Sequence, residues 1–96
     1  MNTTITGAIR DKRLLEFFYK DDRRVVEPHA YGFDGKGHDD RLWAWQVLGR
    51  AGDPPGWRYY VTSEMLNVHA IQQSFPGARD RYSRGDQRMS IIYAEL

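Results

Sequence analysis

The chain has 96 residues and a mass of 11.2 kDa, enough for one modest core and too little for a core plus a second domain. A hydrophobic fraction of 41% and an aromatic fraction of 14%, with three Trp and six Tyr, exclude a disordered chain. Fourteen Lys and Arg against thirteen Asp and Glu leave a net charge of +1 and no cysteine, which excludes a global basic field, a disulfide framework, thiolate metal sites and a cysteine nucleophile.

The opening Met1-Asn2-Thr3-Thr4-Ile5-Thr6-Gly7 is polar and lacks a basic stretch leading into an apolar one, so no signal peptide is expected. No apolar run approaches the roughly 20 residues of a membrane helix, and a cytoplasmic protein away from membranes is the expectation. Thr4 or Thr6 is expected to cap a short helix to about Asp11, with Ile5, Ala8 and Ile9 on its apolar face. Leu14-Leu15-Glu16-Phe17-Phe18-Tyr19 suits a strand, and Arg24-Val25-Val26-Glu27 resumes after a polar turn. Pro28 brings no N–H to a ladder and belongs at an edge or a bulge, with His29-Ala30-Tyr31-Gly32-Phe33 continuing the strand.

The clearest loop is Asp34-Gly35-Lys36-Gly37-His38-Asp39-Asp40. The strand that follows, residues 41–48, alternates Leu42, Ala44, Gln46 and Leu48 against Trp43, Trp45 and Val47. Both faces are mostly apolar, so both need cover, and Gln46 is an unusual polar residue there. After the Pro54-Pro55 loop, residues 57–62 and 67–71 read as two more strands around a turn near residues 63–65. Residues 76–86 are polar and arginine-rich. Asp86 is then expected to cap a short C-terminal helix, because Met89, Ile92, Tyr93 and Leu96 fall at i, i+3, i+4 and i+7. Five short strands joined by turns point to a small barrel, and that apolar stripe needs a docking surface, on the barrel or on a second copy.

Little in the chain points to catalysis. Asp34-Gly35-Lys36-Gly37 lacks the third glycine and the following helix of a phosphate cradle, and no Gly-x-Ser-x-Gly elbow is present. His29, His38 and His69 follow no metal-ligand spacing, and His38 beside Asp39 and Asp40 reads as a solvated loop before it reads as a base or a cation site. The expectation is no enzyme, no metal and no cofactor. Binding is better supported. Arg58-Tyr59-Tyr60, and Arg79, Arg81, Tyr82, Arg84 and Arg88, mix guanidinium forks with flat rings. That combination serves phosphates and stacked bases, and it also serves protein interfaces.

Leu14 to Tyr19, then Arg24-Val25-Val26-Glu27-Pro28-His29-Ala30-Tyr31-Gly32, Leu42-Trp43-Ala44-Trp45 and Trp57-Arg58-Tyr59-Tyr60, resemble the successive motifs of a WYL domain over about residues 5–71. Narrower likenesses at Lys36-Gly37-His38 and Arg81-Tyr82 resemble a group of short stand-alone bacterial WYL-like proteins. The chain departs from the family where Val61, Ser63 and Glu64 stand in place of arginine, aspartate and arginine, and it lacks the Trp-Tyr-Leu run. The resemblance implies a mainly β protein, a small five-stranded Sm-like or SH3-like β-barrel with a short N-terminal helix, over residues 1–75. Residues 76–96 would add the arginine-rich extension and a short C-terminal helix. It also implies a ligand-sensing module for a nucleotide or single-stranded nucleic acid, in transcription regulation or phage defence. The expected contacts are His29, Tyr31, His38, Arg41, Gln46, Arg58, Arg79, Arg81 and Tyr82. The alternative is a protein-interaction module that self-associates through a barrel edge or the C-terminal helix.

Overall fold

A computed structural model describes all of residues 1–96. One helix, α1 (Thr3–Asp11), precedes five strands: β1 (Arg13–Tyr19), β2 (Asp22–Asp34), β3 (Asp39–Leu48), β4 (Gly56–Val61) and β5 (Leu66–Ser74). A 3-10 turn, Thr62–Glu64, joins β4 to β5, and a sixth strand, β6 (Met89–Glu95), ends the chain. All pairings are antiparallel, in the order β4-β3-β2-β1-β5, with β6 also on β2. No helix is long and apolar enough to cross a membrane.

The long strand β2 organises the rest. One of its edges pairs with β3 over residues 25–34; the other pairs with β1 over residues 22–26 and with β6 over residues 30–34. Pro28 sits where the β1 ladder has ended and the β6 ladder has not begun, beside a register break against β3 that leaves His29 as the extra residue. A residue without an N–H is tolerated at such a bulge, as its sequence suggests. Every residue from Arg24 to Gly32 is buried, because both faces of this central strand are covered.

On one face, Leu15, Phe17, Val26, Tyr31, Leu42, Ala44 and Tyr60 pack against Ile5, Ala8 and Ile9 of α1. Phe17, Tyr19 and Tyr60 meet edge to face at 4.9–6.3 Å between centroids, the geometry that ring quadrupoles favour. The helix starts at Asn2, whose Oδ1 accepts from the N–H of Thr4 and of Ile5, while its own N–H donates to the Tyr31 hydroxyl. The cap is therefore Asn2, not Thr4 or Thr6, because only Asn2 is also tied to the sheet.

Further expectations are corrected. The sheet has six strands rather than five. It is open, since no ladder joins β4 to β5, so there is no closed barrel. It is nevertheless strongly curled. Its end strands would stand roughly 19 Å apart if it were flat, at the usual strand spacing. The link from Val61 to Leu66 spans at most about 17 Å even fully extended, and it contains a 3-10 turn. Finally, the C-terminal segment is strand β6 and not a helix. Met89 is buried, and Tyr93 lays its ring against Tyr31 at 5.0 Å, so the apolar residues assigned to a helical stripe pack into the sheet. Self-association through a C-terminal helix goes with it. Asp39 and Asp40, read as loop, open β3.

Candidate ligand-binding cleft

The second face of β2, β3 and β4 carries the candidate site. Alternation places Trp43, Trp45 and Val47 opposite the buried Leu42, Ala44 and Gln46, as the sequence indicates. Register then aligns side chains into rungs: Glu27 beside Trp45 beside Trp57, and Trp43 beside Tyr59. Trp43 and Trp57 stack at 4.9 Å and 6° between planes, and Trp45 meets Trp57 at 90°.

Residues 75–88 lie across these rungs as an irregular strap. Phe75 stacks on the His29 ring at 5.9 Å, and Tyr82 stacks on Trp57 at 6.2 Å. Arg79 donates through Nε to Glu27 Oε1 at 2.8 Å and through Nη2 to Oε2 at 2.9 Å, and its guanidinium lies 4.6 Å from the Trp45 ring centre. Arg88 closes the other end, 3.9 Å from the Tyr59 ring centre and 4.4 Å from that of Trp43, with a two-pronged pair to Asp86. These pairs hold both guanidiniums firmly charged, with hydrogen bonds to Glu27 and to Asp86 as the main causes. Tyr59 donates to Asp34, and burial pushes its hydroxyl pKa well up. Asp34 is held acidic, chiefly by the N–H of Gly37.

Between strap and sheet lies a cleft of about 650 Å³, lined by Glu27, Trp45, Trp57 and residues 76–81. Its volume falls within the range of small-molecule sites. Trp45 and Trp57 supply flat apolar surface, the strap supplies backbone, and Arg81 on the rim is a cation with no carboxylate partner. No group of three or more His, Asp or Glu side chains is arranged to hold a metal ion.

Of the nine residues singled out from sequence, four meet here: Arg79 and Arg81 in the lining, and His29 and Tyr82 directly behind it. The other five lie elsewhere. Tyr31 is in the core beneath α1, and Gln46 is buried, accepting from Arg24 and Tyr60. His38 is exposed in the β2–β3 turn. Arg41 pairs with Asp39 against the Tyr59 ring, and Arg58 donates to the carbonyls of Trp57 and Pro54. Sequence reasoning missed Glu27 as the strap's anchor and did not single out Trp45 or Trp57 as contacts. The signal for the tryptophans was the alternation itself, which puts them on the face opposite Leu42 and Ala44.

The chain matches no protein-family model, and no curated protein or solved structure is significantly similar to it.

Proposed function

We propose that this chain is a small WYL-like module that binds a nucleotide or single-stranded nucleic acid in the Trp45–Trp57 cleft, in a regulatory or phage-defence role. The observation that carries the reading is the cleft's chemistry: two indoles and the unpaired Arg81 around about 650 Å³. Flat rings offer stacking surface to any base, and a free guanidinium forks a phosphate. The Sm-like or SH3-like reading of the fold is supported by the curl that the short β4–β5 link forces on the sheet.

Fluorescence anisotropy with labelled short single strands and with mononucleotides, at low and high salt, tests the proposal. Micromolar or tighter binding that weakens with salt is expected. Arg81→Ala should lower affinity about fivefold, the scale of one partly solvated charge-assisted contact. Absence of binding at low salt overturns the reading.

A second reading, a protein-interaction module, has its own observation. Phe18 and Leu66 are direct partners across β1 and β5, and they stand 42% and 62% exposed. An apolar cross-strand pair beside an unpaired edge suits contact with another chain. Under this reading light scattering at high concentration should show an oligomer that Leu66→Lys dissociates. A strictly monomeric wild type removes it.

A further inference from the structure

His29 is fully buried, and both of its ring nitrogens are engaged. Nδ1 lies 2.9 Å from the Glu27 carbonyl oxygen, and Nε2 lies 3.0 Å from the backbone nitrogen of Arg79. A carbonyl only accepts and a backbone N–H only donates, so the two partners assign one neutral tautomer, with the proton on Nδ1 and the lone pair on Nε2. The residue also holds the strap by other means. Its carbonyl accepts from the Tyr82 hydroxyl at 3.2 Å, and its ring contacts Phe75, Tyr82 and Trp57 at 4.8–5.9 Å. The same side chain thus sits under the strap and behind the cleft.

We infer that His29 is a protonation-sensitive latch: neutral, it clasps residues 76–82 against the sheet, and protonated, it releases them and opens that wall of the cleft. A proton on Nε2 would turn the acceptor of the Arg79 N–H into a second donor facing it. The surrounding charges do not compensate. Glu27, on the same strand, is committed through both oxygens to the Arg79 guanidinium. From the strap, Arg79 is cationic and Tyr82 is a neutral phenol; β4 brings only the indole of Trp57. On β6, the Glu95 carboxylate is taken by Arg84 and by the N–H of Gly85. Burial, the main cause, accordingly holds the His29 pKa below its ordinary value.

The sign follows from linkage. A pKa lowered in the latched state makes latching strongest above the ordinary value of 6.5, and weaker as pH falls through it. The effect levels off only below the latched pKa. One proton allows the opening constant to rise at most tenfold per pH unit, or about thirtyfold between pH 7.5 and pH 5. What this does to a bound ligand rests on the cleft reading given above; the latch itself does not.

Nitrogen-15 spectroscopy of the imidazoles and amide exchange test the latch on the unliganded wild type. At about pH 7.5 the His29 ring should show the Nδ1–H form, with the Arg79 amide protected. Towards about pH 5 that protection should fall by up to about thirtyfold, while β1 amides keep theirs and tryptophan fluorescence shifts. His29→Phe, which keeps a ring without either bond, should show low, pH-independent protection at Arg79. An Nε2–H tautomer overturns the latch, as does Arg79 protection that stays constant while His29 protonates; both are read on wild type, whether or not the variant folds. Oligonucleotide anisotropy at both pH values separates the two ideas. Arg79 amide protection that falls with pH, without any binding, retires the cleft reading alone, and binding with invariant Arg79 protection retires the latch alone.

Discussion

Gly32→Ala is expected to cost about 3 kcal/mol of stability, at the upper end of overpacking effects, and to detach β6. A Cβ on Gly32 would fall inside the carbonyl oxygen of Ile91, 3.0 Å from the Ile92 Cα and 3.1 Å from the Met89 Sδ. Two of these neighbours are backbone in the strand paired with β2, so they cannot swing aside as a side-chain tip can. Relief requires β6 to move away, which loosens Met89 and the Tyr31–Tyr93 ring contact together. In a domain of this length such a loss lowers the melting temperature by roughly 12–24 °C. Urea denaturation followed by circular dichroism checks it, and a loss under about 0.5 kcal/mol would show that β6 is not held against Gly32.

Gln46→Leu is expected to cost about 2–3 kcal/mol, although it puts an apolar residue into a buried site. The Gln46 Oε1 accepts from Arg24 Nη1 at 3.0 Å and from the Tyr60 hydroxyl at 2.5 Å. Arg24 is itself buried, its other contacts being the Tyr19 carbonyl and Asp22 at 3.7 Å. Removing the acceptor strands a buried cation and a buried phenol, whose pKa burial has already pushed up to about 12. Gln46→Glu keeps the acceptor, gives Arg24 an opposite charge and removes the amide nitrogen that now lacks a partner. It should be markedly less damaging near neutral pH. Chemical denaturation of the two variants side by side decides the matter: equal losses would mean that Oε1 is not what the site requires.

Gln46 also marks how far side-chain chemistry was legible before the fold. Its oddity on an apolar strand was visible, and it suggested a ligand contact. The actual partners, Arg24 and Tyr60, lie 22 and 14 residues away, and nothing local announces them. The Arg79–Glu27 pair spans 52 residues. Rich in Arg and Tyr, residues 79–88 could be picked out as a binding segment. Which of their arginines are already spent on acids could not, and Arg81 emerges as the free one only once the strap lies on the sheet.

The C-terminal segment shows the same limit in backbone form. Met89, Ile92, Tyr93 and Leu96 fit a helical stripe, yet the segment falls short of the roughly 12 residues an isolated helix needs, and it contains Ile91-Ile92-Tyr93, which suit a strand. An unpaired edge of β2 over residues 30–34 offered it backbone partners, and the ladder won.

Local grammar was legible in the sequence: a short amphipathic helix, alternating strands with Trp43 and Trp45 opposite Leu42 and Ala44, an edge or a bulge at Pro28, and an arginine-rich segment without regular structure. These follow from side-chain period and backbone stereochemistry, which neighbours a few residues apart can settle. Three features became visible in the folded chain alone: β2 is shared between β1 and β6, Asn2 caps α1, and the strap lies over the tryptophans with His29 beneath it. Each of those depends on which free edge, acid or acceptor stands close in space once the sheet has curled. A composition that averages to +1 thereby conceals a strap in which Arg79, Arg84 and Arg88 are paired with acids while Arg81, at the mouth of a cleft, is not.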